Sequence, residues 1–169
     1  GLDGTTPRRL LATEGWDYAP AWSPDGQRIA FSVAGVGDPG EIYIASADGQ
    51  NLQPLTDYRG LDMRPVWSPD GRWLAFTSDR DGSLNIYIIA TACLDTAGGC
   101  TLTNPRQLTR GGVNPAALWW SADGQQLFYW ERVIGTPEIY ALDMDCDLLP
   151  TRCRPRQLTQ LGRALGFGR

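Results

Sequence analysis

The most informative pattern in this chain is a pair of apolar runs separated by a short polar turn. Val66 and Trp67 precede Ser-Pro-Asp-Gly at 68–71, and a second apolar run follows at 73–76. Proline restricts φ at the first corner of a turn, aspartate bonds the local backbone, and glycine accepts a positive φ. The pattern therefore predicts a β-hairpin.

The hairpin recurs around Trp22, Trp67 and Trp120, with spacings of 45 and 53 residues. These spacings lie near the ~40–50-residue period of propeller blades. A third apolar segment after each hairpin contains Ile-Tyr, at 42–43, 86–87 and 139–140. A fourth and shorter segment ends in Leu-Thr, at 55–56, 108–109 and 158–159. Each repeat therefore predicts a four-stranded antiparallel meander.

The repeats also predict how the chain is divided. Blade one spans 16–60, blade two spans 61–113 and blade three spans 114–160. Residues 1–15 align with the fourth segment of blade one and predict the outer strand of an incomplete upstream blade, while 161–169 lead toward a missing next blade. We expect an all-β β-propeller of three four-stranded antiparallel blades plus an orphan N-terminal strand. It would be part of a ring of about six to eight blades, or of a ring completed by a second copy.

Composition narrows the functional classes. The 169 residues carry a net charge of −4, which disfavours nucleic acid and anionic membrane as partners. No apolar run approaches the ~18 residues of a membrane helix, so no membrane insertion is expected. Histidine is absent, which removes Ser-His-Asp and Cys-His catalysis and His-ligated metal sites from what this chain does alone. We expect no catalytic residue, no metal and no cofactor.

Four cysteines lie in insertions between the third and fourth segments of blades two and three. Cys93 and Cys100 have the same spacing as Cys146 and Cys153, which favours two local disulfides. One zinc site of four thiolates is the alternative, although structural zinc sites usually use cysteines separated by about two to four residues. Disulfides would place the chain in an oxidising compartment, which is the periplasm, the cell surface or the secreted space.

Several elements recur in a fixed order: Pro-x-Trp-Ser-Pro-Asp-Gly at 65–71, Ser-Asp-Arg-Asp-Gly at 78–82, Ile-Tyr at 86–87 and Gln-Leu-Thr at 107–109. Together they resemble the TolB-like class of WD-type β-propeller repeats over nearly the whole chain. The third repeat departs from the pattern, because Ala122 replaces the turn proline and the segment 131–135 replaces Ser-Asp-Arg-Asp-Gly. The resemblance implies the fold and leaves function open, since such blades occur in periplasmic scaffolds, peptidase-gating propellers, polysaccharide lyases and extracellular sensors.

Large aromatic side chains are expected to wedge between neighbouring blades rather than to stack on a ligand. They are Trp22, Trp67, Trp120, Phe31, Phe76 and Tyr129. Arginines alternate at 152, 154 and 156, which predicts a charged outer edge that discourages aggregation, or else a contact for an acidic partner. Three blades leave two uncovered faces, so a homodimer that completes the ring is a possible partner arrangement.

Loops that join one blade to the next are expected to surround the mouth of the channel and to bind a partner. Exposed aromatic residues beside arginine are typical of protein-binding centres. We name the following nine residues the channel-mouth set: Trp16, Asp17, Tyr18, Arg59, Asp62, Met63, Arg64, Arg110 and Asn114. The sequence therefore predicts a noncatalytic, extracytoplasmic scaffold that binds a protein or peptide. The alternatives are the regulatory propeller of a larger peptidase, and a carbohydrate-binding or lyase propeller.

Overall fold

The computed structural model describes residues 9–35, 38–95, 105–133, 136–145 and 154–160. These residues form three four-stranded sheets in which strand order follows the chain and neighbouring strands are antiparallel. Blade one consists of β1 Trp16–Trp22, β2 Arg28–Gly35, β3 Asp38–Ser46 and β4 Gln53–Pro54. Blade two consists of β5 Asp62–Trp67, β6 Trp73–Ser78, β7 Asn85–Ala90 and β8 Arg106–Gln107, with a 3₁₀ helix at Ala92–Asp95. Blade three consists of β9 Ala117–Trp120, β10 Gln126–Val133, β11 Thr136–Asp143 and β12 Arg156–Gln157.

The predicted hairpin turn is closed by a serine and an aspartate. Ser68 Oγ donates to Asp70 Oδ1 at 2.5 Å and accepts from the backbone N–H of Trp73 at 3.0 Å. The glycine of the turn has φ 71°, a conformation that glycine adopts without steric cost. In blade three Ser121 Oγ makes the same bond to Asp123 at 2.6 Å, although Ala122 replaces proline. Serine and aspartate therefore fix this turn, and proline is dispensable.

A threonine ties the fourth strand to the third in every blade, buried in blades one and two and half-buried in blade three, and the sequence did not predict this contact. In blade two Thr109 Oγ1 accepts from the backbone N–H of Ile86 at 2.9 Å and donates to Asn85 Oδ1 at 3.2 Å. Thr56 and Thr159 accept in the same way from the residue that follows Glu41 and Glu138, both at 2.9 Å. The threonine of Gln-Leu-Thr and the polar residue before Ile-Tyr therefore form one recurring unit.

Apolar side chains from facing blades form the core. Phe76 and Tyr87 of blade two pack with Ile42 and Leu55 of blade one in one buried cluster. A second cluster joins the other face of blade two to blade three. Two of the predicted tryptophan wedges also bond across the interface, since Trp67 Nε1 donates to Ala21 O at 3.1 Å and Trp120 Nε1 donates to Val66 O at 3.3 Å. Trp22 is not covered by another blade among the described residues and is 54% exposed.

Some sequence predictions fall outside the described residues. Cys93 is disulfide-bonded, but Cys100, Cys146 and Cys153 lie outside the described part of the chain, so the two pairings stay predictions. Residues 9–15 form no strand and 1–8 are not described, so the outer upstream strand also stays a prediction. Of the arginine row, Arg154 and Arg156 are described and exposed.

Candidate interaction surface

The predicted loop location is wrong for six of the nine residues of the channel-mouth set. Trp16, Asp17 and Tyr18 begin β1, and Asp62, Met63 and Arg64 begin β5. The remaining three, Arg59, Arg110 and Asn114, lie in the loops that connect one sheet to the next, as expected. The first strand of each of these blades starts earlier than its apolar pattern suggested, because a bulge separates a polar half from an apolar half. The pairing register shifts between Tyr18 and Ala21, and again between Met63 and Val66.

Arg64 occupies the bulge of β5 and connects three blades. Its φ is 56°, in the left-handed region, and Ala19 in the bulge of β1 has φ 51°. This backbone turns the N–H of Arg64 toward blade one, where it donates to Ser32 Oγ at 2.9 Å. The guanidinium group reaches blade three and donates to Pro115 O at 3.2 Å. Arg64 therefore links β5 to β2 of blade one and to the segment that precedes β9 of blade three, in addition to any role in binding.

Asp62 was expected to bind a partner, but its side chain is fully buried and cannot contact one. Its Oδ2 lies 2.7 Å from a guanidinium nitrogen of Arg80. The carbon at the centre of that guanidinium group lies 5.2 Å from the ring of Tyr58, 5.6 Å from Phe76 and 5.1 Å from Tyr87. We name these five residues the Arg80 box. Cation–π attraction and the ion pair together compensate the guanidinium group for lost water.

The rest of the channel-mouth set includes large exposed side chains. Trp16 is 84% exposed, and Asp17 beside it accepts a hydrogen bond from Thr13 Oγ1 at 2.5 Å. Arg59 and Arg110 are also exposed, and among the described residues neither makes an ion pair. Tyr18 and Met63 are half-buried, and Asn114 is exposed. An indole, an acid and two unpaired guanidinium groups can supply an apolar anchor and charge-assisted hydrogen bonds to a partner.

Tyr18 and Asp62 approach each other around Gly40 of β3. A methyl group placed on Gly40 would lie 3.3 Å from the Tyr18 hydroxyl and 3.7 Å from Asp62 O. The φ of Gly40 is 143°, which side chains other than glycine rarely adopt. Glycine therefore lets β1, β3 and β5 meet closely beneath the exposed residues.

One carboxyl group of blade three, in β10, has a raised pKa. Burial raises the pKa of Glu131, and a hydrogen bond with Tyr140 partly opposes that shift. A perturbed carboxyl group can serve as an acid or base when a reacting partner lies beside it. Within the described ranges, no group of three or more His, Cys, Asp or Glu side chains is placed to hold a metal ion. The same ranges contain no helix with the length and apolar character needed to cross a bilayer.

The sequence of residues 3–98 matches the model of the TolB beta propeller domain. Protein TolB homolog from Chlorobium luteolum is 44% identical over 87 residues, which cover 52% of this chain and 20% of that protein. Tol-Pal system protein TolB from Thioalkalivibrio sulfidiphilus is 43% identical over 55 residues, which cover 32% of this chain and 13% of that protein. The aligned region thus spans a fifth or less of these curated relatives.

Solved structures share the fold. TolB from Acinetobacter baumannii superposes with a TM-score of 0.63 and 28% identity, over 83% of this chain and 32% of that one. A chain of a nidogen/laminin complex gives a TM-score of 0.68 at 20% identity, over 95% and 55% of the two chains. An oligogalacturonate lyase in complex with manganese gives 0.61 at 20% identity, over 86% and 36%. The last two likenesses concern the fold alone.

Proposed function

The chain belongs to the TolB β-propeller domain family, and from this premise we propose that it is a noncatalytic module that binds a protein or peptide outside the cytoplasm. The name of one relative, Tol-Pal system protein TolB, suggests the partner to test first, which is a Pal protein. The absence of histidine from the sequence supports a noncatalytic role, because the commonest general base is missing.

The observation that carries this proposal is the exposure of Trp16. Its side chain is 84% exposed, although tryptophan is normally well buried in a folded domain. It lies at the start of β1, next to Asp17, and the exposed Arg59 lies shortly before β5, which is the corresponding first strand of blade two. Tryptophan and arginine are the side chains most enriched among residues that dominate binding energy. We therefore propose that Trp16, Asp17, Arg59, Arg110 and Asn114 form the partner surface.

The proposal is tested by measuring the affinity of the chain for a purified Pal protein from the same source. We expect Trp16→Ala to weaken binding by at least about 30-fold, which corresponds to the ~2 kcal/mol of a dominant interface residue. Arg59→Ala and Arg110→Ala should each weaken binding by a smaller factor. Biolayer interferometry with the immobilised chain gives the dissociation constants.

Leu158→Ala is the matched control, because Leu158 is also exposed, at 43%, and lies outside both the proposed surface and its neighbouring loops. It should leave the affinity unchanged. Binding that is equal for wild type, Trp16→Ala and Arg59→Ala would contradict the proposed surface. Absence of binding to Pal and to a panel of soluble extracytoplasmic domains would contradict the interaction role.

We further propose that a second copy of the chain is able to complete the ring. At both interfaces between blades, the indole N–H of the repeat tryptophan donates to the carbonyl oxygen of the residue before the repeat tryptophan of the preceding blade. Trp67 donates to Ala21 O and Trp120 donates to Val66 O. In the next interface the acceptor would be Trp119 O of one copy and the donor would be Trp22 Nε1 of the other. Trp22 and Trp119 are 54% and 38% exposed, so both halves of this contact are available. Equilibrium sedimentation should then detect a dimer whose dissociation depends on concentration.

An oxidising compartment follows from the proposed disulfides between Cys93 and Cys100 and between Cys146 and Cys153. Thiol titration of the denatured, unreduced protein should give no free thiol, and reduction should release four. Four thiols before reduction would contradict both the disulfides and the compartment. Two thiols before reduction would limit the proposal to one blade.

A further inference from the structure

Blade one contains a counterpart of the Arg80 box that lacks its arginine. The 45-residue offset between Trp22 and Trp67 places Gly35 at the position of Arg80 and Thr13 at the position of Tyr58. Strand pairing agrees with this alignment, because Asp17 pairs with Val33 as Asp62 pairs with Ser78. The two blades therefore present the same local framework, and only blade two fills it with a guanidinium group.

The aromatic part of the box is preserved in blade one. Phe31 and Tyr43 pair across β2 and β3, as Phe76 and Tyr87 pair across β6 and β7. The ring centroids are 6.4 Å apart at 31° in blade one and 6.1 Å apart at 28° in blade two. In blade two these rings lie beside the guanidinium group of Arg80, whereas in blade one Gly35 supplies no side chain.

An open cavity of about 690 Å³ lies at the counterpart position. We name it the blade-one pocket. Its lining includes Thr13, Glu14, Gly15, Gly35, Tyr43 and Leu52. The space that Arg80 and Tyr58 occupy in blade two is therefore accessible from solvent in blade one.

The lining of the pocket carries negative charge that no cation pairs with in the described part of the chain. Glu14 lines the cavity, is exposed, and has no ion-pair partner among the described residues. Asp17 is the counterpart of the acid that holds Arg80, and it is bonded at 2.5 Å to the hydroxyl of Thr13, which lines the cavity. A carboxylate and a tyrosine ring in one lining, with a second carboxylate bonded to a lining hydroxyl, favour a cation, and a planar cation above all.

We propose that the blade-one pocket binds the guanidinium group of an arginine side chain on the protein partner. The proposal rests on the proposed function, since it supplies the chemistry by which a partner is recognised. Its internal precedent is Arg80, which the same chain holds between an acid at 2.7 Å and three aromatic rings. Arginine is favoured over lysine because the planar guanidinium group both stacks on a ring and forms paired hydrogen bonds with a carboxylate.

The test uses N-acetyl-arginine amide as the probe, with the ¹⁵N-labelled chain observed by NMR. We expect saturable shifts at the backbone N–H groups of Thr13, Gly15 and Gly35. The uncharged isostere N-acetyl-citrulline amide should cause no saturable shift, and N-acetyl-lysine amide should bind several-fold more weakly. Equal binding of the citrulline or lysine probe would overturn the proposal.

Two variants connect the probe with the pocket. Glu14→Gln should weaken arginine binding by about three- to fivefold, the effect expected for an exposed ion pair. Asp57→Asn is the matched control. It also removes one exposed carboxylate, but from the loop before blade two, where Arg80 already fills the corresponding space. It should leave the affinity for the arginine probe unchanged. Gly35→Arg should fill the pocket from within and abolish binding of the probe.

The pocket and the proposed function can fail separately. Saturable binding that Glu14→Gln leaves unchanged would overturn the pocket, as would shifts confined to residues outside it. If the Pal protein still binds through Trp16 in that case, the interaction role stands without the arginine site. Conversely, loss of the interaction role would leave the probe titration interpretable, since it needs no partner protein.

Discussion

Blade two and blade one are built from the same repeat, but within the described residues blade two has a blade on each side and blade one has a blade on one side. The difference is clearest at the repeat tryptophan, which is 9% exposed as Trp67 and 54% exposed as Trp22. Strand β7 of blade two has five consecutive buried residues, because both of its faces are covered. One side chain at one repeat position is therefore core when a blade covers it and surface when none does.

The largest expected effect separates these two tryptophans. Trp67→Ala should lower the free energy of unfolding by about 3–5 kcal/mol, because it leaves a cavity and removes the bond to Ala21 O. Trp22→Ala should lower it by less than about 1 kcal/mol, since over half of this side chain is already in water. Urea unfolding followed by far-UV circular dichroism measures both values. Equal losses would show that the comparison between covered and open faces is wrong.

A smaller effect concerns the Arg80 box. Arg80→Met should cost about 2–3 kcal/mol, because it leaves the buried carboxylate of Asp62 without its cation. Asp62 Oδ1 already lacks a hydrogen-bond partner in the described part of the structure, so no second group can compensate. The double variant Arg80→Met/Asp62→Leu should recover much of the loss. A double variant as unstable as the sum of the single variants would contradict this explanation.

The threonine between the third and fourth strands gives a third comparison. Thr109→Val should cost about 1–2 kcal/mol, because it leaves the buried N–H of Ile86 without its acceptor and removes one of the two hydrogen bonds to Asn85 Oδ1. Thr159→Val at the half-buried position in blade three should cost less, since water replaces the hydroxyl. Chemical denaturation of the two variants decides between these outcomes. The reverse order would mean that burial does not control this unit.

Much of this architecture could be predicted from the sequence, because local chemistry determines it. The Ser-Pro-Asp-Gly turn needs only residues within five positions of each other, and the apolar runs on either side identify the strands. The threonine unit also had a sequence signal, since the polar residue before Ile-Tyr recurs together with Leu-Thr in all three repeats. The pairing of these two positions across the sheet was the missing step.

The candidate surface was predicted less well because it depends on contacts between blades. Asp62 was assigned to an exposed loop, since nothing near it in the sequence shows that Arg80 and three rings would enclose it. The bulges at Ala19 and Arg64 were also missed, because neither residue usually adopts a positive φ. The exposure of Trp16 and Arg59 depends on whether a neighbouring blade covers them. The pattern of apolar and polar residues within one repeat does not contain that information.

The smallest expected effect is the pH dependence of the hairpin. In the turn, Asp70 accepts a hydrogen bond from the Ser68 hydroxyl and further bonds from Arg72. These bonds lower the pKa of Asp70 from 3.8 to about 2. A lowered pKa in the folded state means that this stabilisation is present above about pH 4 and is lost as the pH falls toward 2. Because the side chain is 41% exposed, the effect should be below about 1 kcal/mol. Asp70→Asn should therefore show a flatter decline between pH 4 and pH 2, and an unchanged slope would contradict the assignment.

The central claim is that a blade face of this chain is complete only when another blade covers it, and the mass in solution tests this claim most directly. Equilibrium sedimentation of the wild type should give the mass of two chains at high concentration, with dissociation on dilution. Trp22→Arg should remain a monomer with its fold intact, because it places a charge in the contact with Trp119. A wild type that stays monomeric at every concentration would contradict the claim, as would a Trp22→Arg variant that dimerises equally well.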